Sequence, residues 1–563
     1  MTTQDPNPDP TPPAPPTFQL LDGPPPIMRR PLDLFRGHAY AAAWLYVRVT
    51  HTQTQDKLGN LVQHDPPLVQ DSLRLFVVRG DGTVFGPGGD HPLDHPDLGV
   101  DIDLPELPHP SRTWSARGVK AYRKGVRPDP VDVLNRVADV VSRFVDFDRS
   151  LADQRTMAEL VACFVLATWL LPAFNVIGYL WPSGERGSGK TVLLNTVAEM
   201  AYLGHVVLAG GTYASLRDLA EYGATLAFDD AENIADPRSC DGDKRALLLA
   251  GNRRGSTITV KQIVPGRAWR TRHVNAFCPR LFSAIRLPDS VLASRTIVIP
   301  LVRTPDRHRA NADPLDYDTW PHQRRPLIDD LWALALAHLP HLRQHERDVS
   351  QHARLTGRNL EPWRAILAVA RWLDEHDTQG LLKRKPPAPD RSADAIGASC
   401  LRTFEECCDD QRRQRTPPTG LWCRLEDLAV RYQRERFDLQ SEDFDAWVVL
   451  AICSCAISAV RPIRAIFGEN PDDFEFTTQE IVDLTRRIAI SRGHRDDRVT
   501  SHRIGRALAR MRLQQAPRPG GKGSRRWRAT LDTLQGLLTA HGLPPFDFST
   551  LDDPPTAEPP THT

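Results

Sequence analysis

A short glycine-rich stretch in the first half of the chain has residues that could bind phosphate. Residues 184–191 read G-E-R-G-S-G-K-T and fit the G-x-x-x-x-G-K-[ST] spacing of a phosphate-binding loop. Its glycines let backbone N–H groups turn toward phosphate oxygens, while its lysine and hydroxyl can reach the terminal phosphates and Mg²⁺. We predict that ATP and Mg²⁺ bind here, with Lys190 as a catalytic cation and Thr191 as a metal ligand. The predicted nucleotide-binding residues are Gly184, Glu185, Arg186, Gly187, Ser188, Gly189, Lys190 and Thr191.

The elements on either side of this loop must hold it in place. Residues 175–181 predict a short buried strand before the loop, which Pro182 and Ser183 would end. Residues 192–200 have the apolar rhythm of a helix. A helix that starts directly after the loop adds the positive end of its dipole to a phosphate site. Strand, loop and helix in this order argue against a chance match to the motif.

An acidic element follows the loop and could supply the hydrolytic chemistry. Residues 224–228 predict an apolar strand, and Asp229 and Asp230 come directly after it. Asp229 could ligate Mg²⁺, while Asp230 or Glu232 could polarise the attacking water. The sequence leaves the choice between these two bases open. A solvent-facing acidic loop with no catalytic role is the alternative.

Two residues further along could complete the same site. Residues 280–285 predict a core strand, and Ser283 near its end could sense the γ-phosphate or position the water. Arg295 directly precedes a predicted strand at the edge of the sheet. It could be an ordinary surface cation, or it could reach the γ-phosphate bound by a neighbouring subunit. The alternation of strands and helices predicts an α/β fold with a parallel sheet.

Residues 256–274 predict a β-hairpin inserted between the acidic strand and the strand of Ser283. The hairpin contains several basic residues, one tryptophan and no acidic residue. One interpretation is a solvated hairpin that pairs with its neighbour. The other is a finger that grips a nucleic-acid backbone, with the tryptophan stacking on a base. The residues concerned are Lys261, Arg267, Trp269, Arg270 and Arg272.

The C-terminal part contains a second candidate nucleic-acid surface. Residues 477–484 predict a helix that opens with a capping box, and residues 500–513 predict a second helix. A basic glycine-rich loop follows at 518–526, so the order is that of a winged helix. No acidic residue interrupts 500–530, as a phosphate-binding surface requires; a winged helix that docks a protein is the alternative. The candidate contacts are Arg503, Arg506, Arg510, Lys522, Arg525 and Arg526.

Composition narrows the classes of function. The 563 residues carry a net charge of only +1, so a nucleic-acid surface must come from local segregation of charge. The nine cysteines lack paired metal-ligand spacing, which is typical of reduced thiols in a cytoplasmic protein. The N-terminus has no apolar signal segment. Pro172 and Asn175 interrupt the apolar run at 160–180, which predicts a buried helix and a core strand, so we expect no membrane role.

These features divide the chain into six parts. The first and last parts are rich in proline and cannot bury enough apolar surface to order themselves. Strand-like segments at 43–49, 73–78 and 83–85 mark the second part, and an amphipathic helix at 131–147 opens the third. The parts are a disordered tail (1–26), a β-rich N-terminal domain (27–128), an ATPase core (129–310), a helical lid and linker (311–412), a winged-helix domain (413–545) and a disordered tail (546–563).

With these parts assembled, the chain resembles an AAA+ ATPase of the helicase branch. It is similar to primase-linked helicases and uncharacterised ATPases of phages, plasmids and integrative elements, which are related to the superfamily 3 and minichromosome-maintenance helicases. The resemblance is carried by residues 184–191, 226–232 and 287–295 and by the hairpin, and it covers roughly 129–303. It implies a P-loop AAA+ parallel-sheet core with a helical lid. It also implies a homo-oligomeric ring, usually a hexamer, in which Arg295 acts in trans and the hairpin lines the central channel.

The resemblance implies an ATP-dependent motor that acts on DNA, a helicase-like replication protein of a mobile element or phage. Two alternatives stay open. One is an ATP-switched DNA-binding regulator, for which a sequence-selective footprint by residues 420–542 would be the sign. The other is an oligomeric NTPase sensor of an anti-phage defence system, which calls for an effector domain or partner. The sequence contains no nuclease, protease or pore motif that we recognise.

Overall fold

The computed structural model has a mixed α/β fold that includes a parallel sheet of five strands. It describes residues 23–56, 58–104, 110–207, 212–229, 231, 234, 242–264, 267–284, 288, 290–384, 420–439, 444–467, 473–491, 499–517, 525–541 and 543. Apart from residues 23–26, the two predicted tails lie outside these ranges. Three predicted site residues also lie outside them, namely Asp230, Glu232 and Lys522.

The N-terminal part is built on β-strands. They are β1 (Ile27–Met28), β2 (Leu32–Phe35), β3 (His38–Gln55), β4 (Leu61–Arg79), β5 (Val84–Phe85) and β6 (Asp101–Ile102). The antiparallel sheet has the order β2-β3-β4-β5, and β1 pairs with β6 in parallel. The predicted strands at 43–49, 73–78 and 83–85 coincide with parts of β3, β4 and β5, so the prediction of β structure here is confirmed.

Three helices lead from this sheet to the central one. They are α1 (Ala116–Arg123), α2 (Pro130–Phe144) and α3 (Gln154–Trp169). The Asp129 side chain accepts hydrogen bonds from the N–H groups of Val131 and Asp132, so α2 starts where the sequence predicted. Nearly every residue of α3 is buried. The interpretation of its apolar run as a core helix is therefore confirmed.

The parallel sheet and an antiparallel hairpin follow. Their strands are β7 (Tyr179–Ser183), β8 (His205–Val207), β9 (Leu226–Phe228), β10 (Thr257–Val264), β11 (Arg267–Asn275), β12 (Arg280–Phe282) and β13 (Thr296–Pro300). The parallel order is β13-β7-β12-β9-β8, and β10 pairs with β11 as the predicted hairpin. Leu180 and Leu281 pack on one side of the sheet, and Trp181 and Phe282 on the other. Both faces are covered, as expected of a parallel sheet.

The helices around this sheet are short. They are α4 (Lys190–Met200), α5 (Tyr213–Glu221), α6 (Gly242–Ala250), α7 (Ser290–Ala293) and α8 (Arg307–Ala310). Short 3₁₀ helices lie at Pro96–Leu98, Pro110–Arg112, Leu171–Ala173 and Tyr317–Thr319. Because α4 starts at Lys190, the predicted order of strand, loop and helix is confirmed.

The predicted end of the strand before the loop is wrong. Pro182 and Ser183 belong to β7 and pair with β13. The N–H of Tyr179 and the carbonyl oxygen of Ser183 both bond to the β13 side, so alternation directs Pro182 toward β12. Because β12 ends at Phe282, the N–H that proline lacks costs the sheet little.

A helical region covers the sheet. Its helices are α9 (Arg324–His352), α10 (Gly357–Leu360), α11 (Arg364–His376) and α12 (Leu421–Leu439). One hydrophobic core runs from Leu32 in the N-terminal sheet, through α2, α3 and α9, to Tyr432 in α12. The N-terminal sheet and the helical region thus share a core with the parallel sheet, although the sequence assigned them to separate domains.

The C-terminal unit has a core of its own. Its elements are α13 (Phe444–Phe467), β14 (Asp473–Thr477), α14 (Thr478–Ser491), α15 (Ser501–Arg510), β15 (Gln514–Ala516), β16 (Arg526–Thr530) and α16 (Leu531–Ala540). The strands form an antiparallel sheet in the order β14-β16-β15. The Thr477 N–H donates to Glu480 Oε2 at 2.6 Å, and the Glu480 N–H donates to Thr477 Oγ1 at 3.2 Å. The predicted capping box is therefore confirmed.

The described helices differ from membrane-spanning helices. None of them combines the length and the apolar character that a transmembrane span requires. The apolar helix α3 owes its composition to burial inside the core.

Candidate nucleotide site and basic surfaces

The glycine-rich loop connects the end of β7 to the start of α4. A Cβ atom on Gly184 would lie 2.5 Å from the Leu301 carbonyl oxygen, so no larger residue fits there without a shift of the backbone. Gly189 has φ 88° and forms the N-cap of α4, a left-handed conformation that glycine adopts without strain. The loop therefore needs glycine at both positions, and it leads directly into the N-terminus of α4, where the helix dipole favours an anion.

The predicted metal ligands meet beyond the carboxyl ends of the strands of the parallel sheet. Thr191 Oγ1 donates to Asp229 Oδ1 at 3.1 Å and lies 3.2 Å from Oδ2. Thr191 is in the first turn of α4, and Asp229 follows β9 directly. A hydroxyl and a carboxylate are hard oxygen ligands of the kind that Mg²⁺ takes. The two residues fit a Mg²⁺ ion in chemistry and in position.

The loop lysine is held in place by the loop itself. Lys190 Nζ donates to the carbonyl oxygens of Gly184 and Glu185, each at 2.9 Å. These bonds fold the side chain back onto the first residues of the loop. A bound phosphate would compete with these two carbonyl oxygens for the ammonium.

A cavity of about 700 Å³ opens beside the loop. Its size is within the range of small-molecule sites. One wall comes from the loop, the start of α4 and the end of β12, and the other comes from the end of α2 and the segment after β13. The lining residues are Phe144, Asp146, Arg186, Gly187, Ser188, Gly189, Lys190, Thr191, Val192, Ser283, Ala284, Val302, Arg303, Thr304, Arg309 and Ala310.

Two polar atoms at this cavity have no partner within the described part of the chain. They are Ser188 Oγ and Arg309 Nε, and both are buried. Arg309 also forms an ion pair with Asp146 at 3.2 Å. Buried polar atoms in folded proteins are nearly always hydrogen-bonded. Their position therefore favours a polar ligand or water in the cavity.

Three charged residues of the cavity were missed in the sequence. Arg303 Nε donates to the Arg186 carbonyl oxygen at 2.8 Å and adds a second cation beside the loop. Asp146 and Arg309 form the opposite wall. No local motif marks these residues, because β13 and the end of α2 reach the loop only through the order of the strands in the sheet.

The other predicted catalytic residues lie in different places. Ser283 lines the cavity, and its N–H donates to the Phe228 carbonyl oxygen at 2.8 Å, so it is fixed beside the strand that leads to Asp229. Arg295 is not among the lining residues of the cavity in its own chain; its guanidinium donates to the Val291 carbonyl oxygen at 2.6 Å. The two candidate bases, Asp230 and Glu232, lie outside the described residues.

A buried arginine, Arg280, lies at the start of β12. Arg280 donates to the Tyr179 hydroxyl at 2.6 Å, to the Leu248 carbonyl oxygen at 2.8 Å and to the Ala276 carbonyl oxygen at 3.0 Å. Burial raises the pKa of Tyr179 to about 12, so its hydroxyl stays neutral. Arg280 thus joins the strand before the loop, the end of α6 and the base of the hairpin. The sequence predicted only an apolar core strand here.

The hairpin separates its charged residues between two faces. Lys261 and Trp269 occupy diagonal positions on one face, and both are exposed, Trp269 to 65%. Arg272 lies on the opposite face and pairs with Glu221 of α5 at 2.6 Å. For Arg267 and Arg270 the structure describes only the backbone. The structure therefore places Lys261 and Trp269 together as an exposed pair, and it removes Arg272 from that set.

The C-terminal arginines are close to carboxylates from other segments. Arg510 pairs with Asp445 of α13 at 2.6 Å. Arg526 lies 3.5 Å from Glu475 of β14. Carboxylates therefore offset part of the positive charge on this surface, and its segregation stays a prediction because residues 518–524 lie outside the described ranges. The stretch 500–530 contains no acidic residue, but the fold places acidic residues from outside it next to the arginines.

The remaining arginines of this surface have different surroundings. The Arg503 guanidinium lies 3.8 Å from the centroid of the Phe444 ring, a cation–π arrangement. Arg506 and Arg525 are exposed. Lys522 is outside the described residues. These side chains could still bind phosphate, but the surface is less positive than the local sequence indicates.

Comparison with known proteins adds little. The chain matches no protein-family model and no curated protein. One solved structure that it matches is titled "SCCmec type IV Cch - active helicase"; the match has 9% sequence identity and a TM-score of 0.25 and covers 90% of this chain and 98% of that chain. A TM-score this low establishes no shared fold. The functional interpretation therefore depends on the residues of the site.

Proposed function

We propose that this chain is an ATP hydrolase that acts on nucleic acid, with a P-loop AAA+ core and helicase-like motor activity. The observation that carries the proposal is the contact between Thr191 and Asp229 beside the glycine-rich loop. Two oxygen ligands for Mg²⁺ and a cradle of backbone amides lie at one edge of a parallel sheet, next to a cavity of suitable size. This combination supports triphosphate binding more than any other chemistry on the described surface.

The loop and the residues around it have separate roles in the proposed reaction. The amides between Gly184 and Lys190 bind the phosphates, and Lys190 and Arg303 balance their charge. Thr191 and Asp229 would hold Mg²⁺, which neutralises charge on the phosphate oxygens. Ser283 positions the γ-phosphate or the water from the adjoining strand. The candidate bases are Asp230 and Glu232, as the sequence predicts.

The position of Arg295 supports an active site shared between subunits. It precedes β13, which is an edge strand of the parallel sheet. An arginine near an edge strand, and not in the cavity of its own chain, could reach the site of a neighbour if its bond to the Val291 carbonyl oxygen opens. We therefore propose a homo-oligomer, a hexameric ring as the resemblance implies, in which Arg295 stabilises transition-state charge in trans.

The hairpin is the proposed contact with DNA. Its exposed face carries Lys261 and Trp269, a cation for the backbone and a ring on which a base can stack. Its base is bonded through Arg280 to the strand that ends near Ser283. Loss of the γ-phosphate would change the surroundings of Ser283, and the rigid connection through Arg280 would transmit that change to the hairpin.

The C-terminal unit supplies the second proposed DNA contact. The order of one strand, two helices and two more strands, with the three strands in one antiparallel sheet, supports a winged helix with α15 as the recognition helix. Arg506 and Arg525 are exposed cations of this unit that could contact DNA. The proposed role in replication of a mobile element or phage, in the cytoplasm, depends on the resemblance described above.

The decisive experiment measures phosphate release from Mg·ATP by the full chain, with and without single- and double-stranded DNA. We expect turnover that DNA stimulates and that falls by at least about 100-fold in Asp229→Asn. Asp243→Asn, an exposed aspartate of α6, is the matched control and should keep wild-type turnover. Wild-type protein that neither binds nor cleaves ATP with Mg²⁺ present would refute the proposal.

A mixing experiment tests the shared site. Arg295→Ala and Lys190→Ala should each be inactive alone, because one lacks the arginine supplied in trans and the other lacks the loop lysine. When mixed, some interfaces combine an intact loop with an intact arginine, so turnover should return in part. Two inactive variants that stay inactive after proven subunit exchange would restrict Arg295 to a structural role.

Strand separation distinguishes a motor from a switch. A helicase should unwind a duplex with a single-stranded tail only when ATP is hydrolysed. ATP turnover with no unwinding, together with a sequence-selective footprint, would instead identify the ATP-switched DNA-binding regulator. Either result leaves the assignment of the nucleotide site unchanged.

A further inference from the structure

Two histidines and an aspartate form a cluster in the loop between β5 and β6, far in sequence from the nucleotide site. The potential ligand atoms of His91, His95 and Asp97 all lie within 4.8 Å of one another. The two imidazole rings stack, with centroids 4.2 Å apart and planes inclined by 21°. The side chains of His95 and Asp97 are 31% and 66% exposed. A cation can therefore reach the cluster from solvent.

The backbone already holds these side chains together. The backbone carbonyl oxygen of His91 accepts a hydrogen bond from the Gly86 N–H at 2.7 Å. The backbones of His91 and Phe85 also form an isolated β-bridge. Each histidine precedes a proline, which restricts the chain at that point. Arg79 donates to the Asp97 carbonyl oxygen at 2.7 Å. A ligand that binds here does not have to order the loop first, which favours affinity.

One hydrogen bond fixes the His95 ring beside Asp97. His95 Nδ1 accepts from the Asp97 N–H at 3.2 Å and lies 3.8 Å from an Asp97 carboxylate oxygen. A ring nitrogen that accepts a hydrogen bond carries no proton. A cation that binds the Nδ1 lone pair must displace the 3.2 Å hydrogen bond from the Asp97 N–H, and it would then lie beside the Asp97 carboxylate.

The Arg79 guanidinium does not already neutralise the Asp97 carboxylate. Its guanidinium pairs with the Asp81 carboxylate at 2.8 Å while it holds the backbone of Asp97. The positive charge of Arg79 is therefore balanced chiefly by Asp81. The Asp97 carboxylate, at 66% exposure, stays accessible to a cation from solution.

We propose that His91, His95 and Asp97 bind one divalent transition-metal ion, with Zn²⁺ as the probe, and that this ion cross-links the loop between β5 and β6. Imidazole nitrogen and carboxylate oxygen bind Zn²⁺ at about 2.0–2.2 Å, so neighbouring ligand atoms are roughly 3.3 Å apart in a tetrahedral site. The present separations, within 4.8 Å, close by side-chain rotation. Water takes the fourth position. The ion would stabilise the small core that contains Leu98 and Val100.

The ligand types separate this site from the nucleotide cavity. Thr191 and Asp229 offer only oxygen, which suits Mg²⁺, whereas two imidazoles favour Zn²⁺ and related ions. The proposal is independent of ATP binding and of any action on DNA. A chain that failed to hydrolyse ATP could still bind Zn²⁺ at this loop.

The test uses the untagged full chain, freed of metal with EDTA and titrated with Zn²⁺ by calorimetry. We expect one ion per chain with a dissociation constant on the order of micromolar or below. Bound Zn²⁺ should also slow hydrogen exchange of the amides in residues 86–99. The double variant His91→Gln, His95→Gln should lose at least about tenfold in affinity and should lose that protection. His38→Gln, an exposed histidine of β3, is the matched control and should behave as wild type.

Asp97→Asn provides a second variant that keeps both histidines. It should weaken Zn²⁺ binding while thermal unfolding of the metal-free protein stays at the wild-type temperature. Absence of stoichiometric binding by wild type would overturn the proposal. So would affinity that is unchanged in both loop variants, or affinity that is lost only in Asp229→Asn, because the ion would then be bound elsewhere.

Discussion

The nucleotide cavity and the C-terminal arginine surface differ in what surrounds their charged groups. In the cavity, Lys190 is held by two carbonyl oxygens of its own loop, and Thr191 is bonded to the carboxylate that it would share a metal with. On the C-terminal unit, Arg510 and Arg526 face carboxylates from α13 and β14. In the first site, distant segments add ligands and cations to a loop built by sequence neighbours, whereas in the second they add carboxylates that offset the arginines.

The difference shows which kind of sequence motif keeps its predicted properties in the folded chain. A loop motif acts through backbone conformation, and its glycines impose that conformation wherever a strand and a helix flank it. A charged stretch acts through net electrostatic potential, which any neighbouring carboxylate changes. A glycine-rich loop is therefore stronger evidence than a run of arginines of similar length.

The largest effect should come from the lysine of the loop. Lys190→Ala should lower the rate of ATP hydrolysis by at least about 100-fold, because it removes a preorganised cation from the phosphates. Phosphate release under saturating ATP measures the change. Lys120→Ala, at an exposed position in α1, is the matched control. Equal turnover in both variants would place the catalytic cation elsewhere and would end the contrast between the two regions.

A smaller but still large effect should follow from a methyl group in the loop. Gly184→Ala would place a Cβ 2.5 Å from the Leu301 carbonyl oxygen and 2.6 Å from Ser188 Oγ. Overpacking of this kind typically costs about 1–3 kcal/mol. Chemical denaturation should show the loss in the free energy of unfolding, and nucleotide affinity should fall with it. Gly242→Ala, where an added Cβ meets nothing within 4 Å, should leave both quantities near wild type.

The exposed tryptophan of the hairpin allows an intermediate test on the nucleic-acid side. Trp269→Ala should weaken binding of single-stranded DNA by about tenfold, since stacking contributes that much per base. Fluorescence anisotropy measures the affinity, and turnover without DNA should not change. Tyr46→Ala removes another exposed ring, 75% accessible in β3, and serves as the control. Equal DNA affinity in the two variants would support the solvated-hairpin interpretation.

The smallest effect should come from a carboxylate on the arginine surface. Glu475 pairs with Arg528 at 2.7 Å and lies 3.5 Å from Arg526. Glu475→Gln should raise the affinity for duplex DNA by about two- to threefold at low salt, because both arginines become available to phosphate. Asp483→Asn removes an exposed charge from α14 and should have less effect. Unchanged affinity would favour a C-terminal unit that docks a protein.

Several elements could be predicted from the sequence because one local rule governs each of them. The helix that starts after Asp129, the buried helix α3 and the capping box at Thr477 all follow from side chains within a few residues. The strand boundary at Pro182 could not be predicted in this way. It depends on where β12 ends, and that strand is distant in the sequence.

The sequence by itself determined the glycine-rich loop, its flanking elements and the pairing of the hairpin, because backbone conformation and apolar periodicity are local properties. Only the tertiary structure decided that Arg303 and Arg309 line the cavity and that Arg280 joins the hairpin to the sheet. It also decided that Glu221 and Glu475 offset positive charge on the basic surfaces. These contacts join segments far apart in the chain, so they depend on strand order and helix packing, which no short stretch of residues encodes.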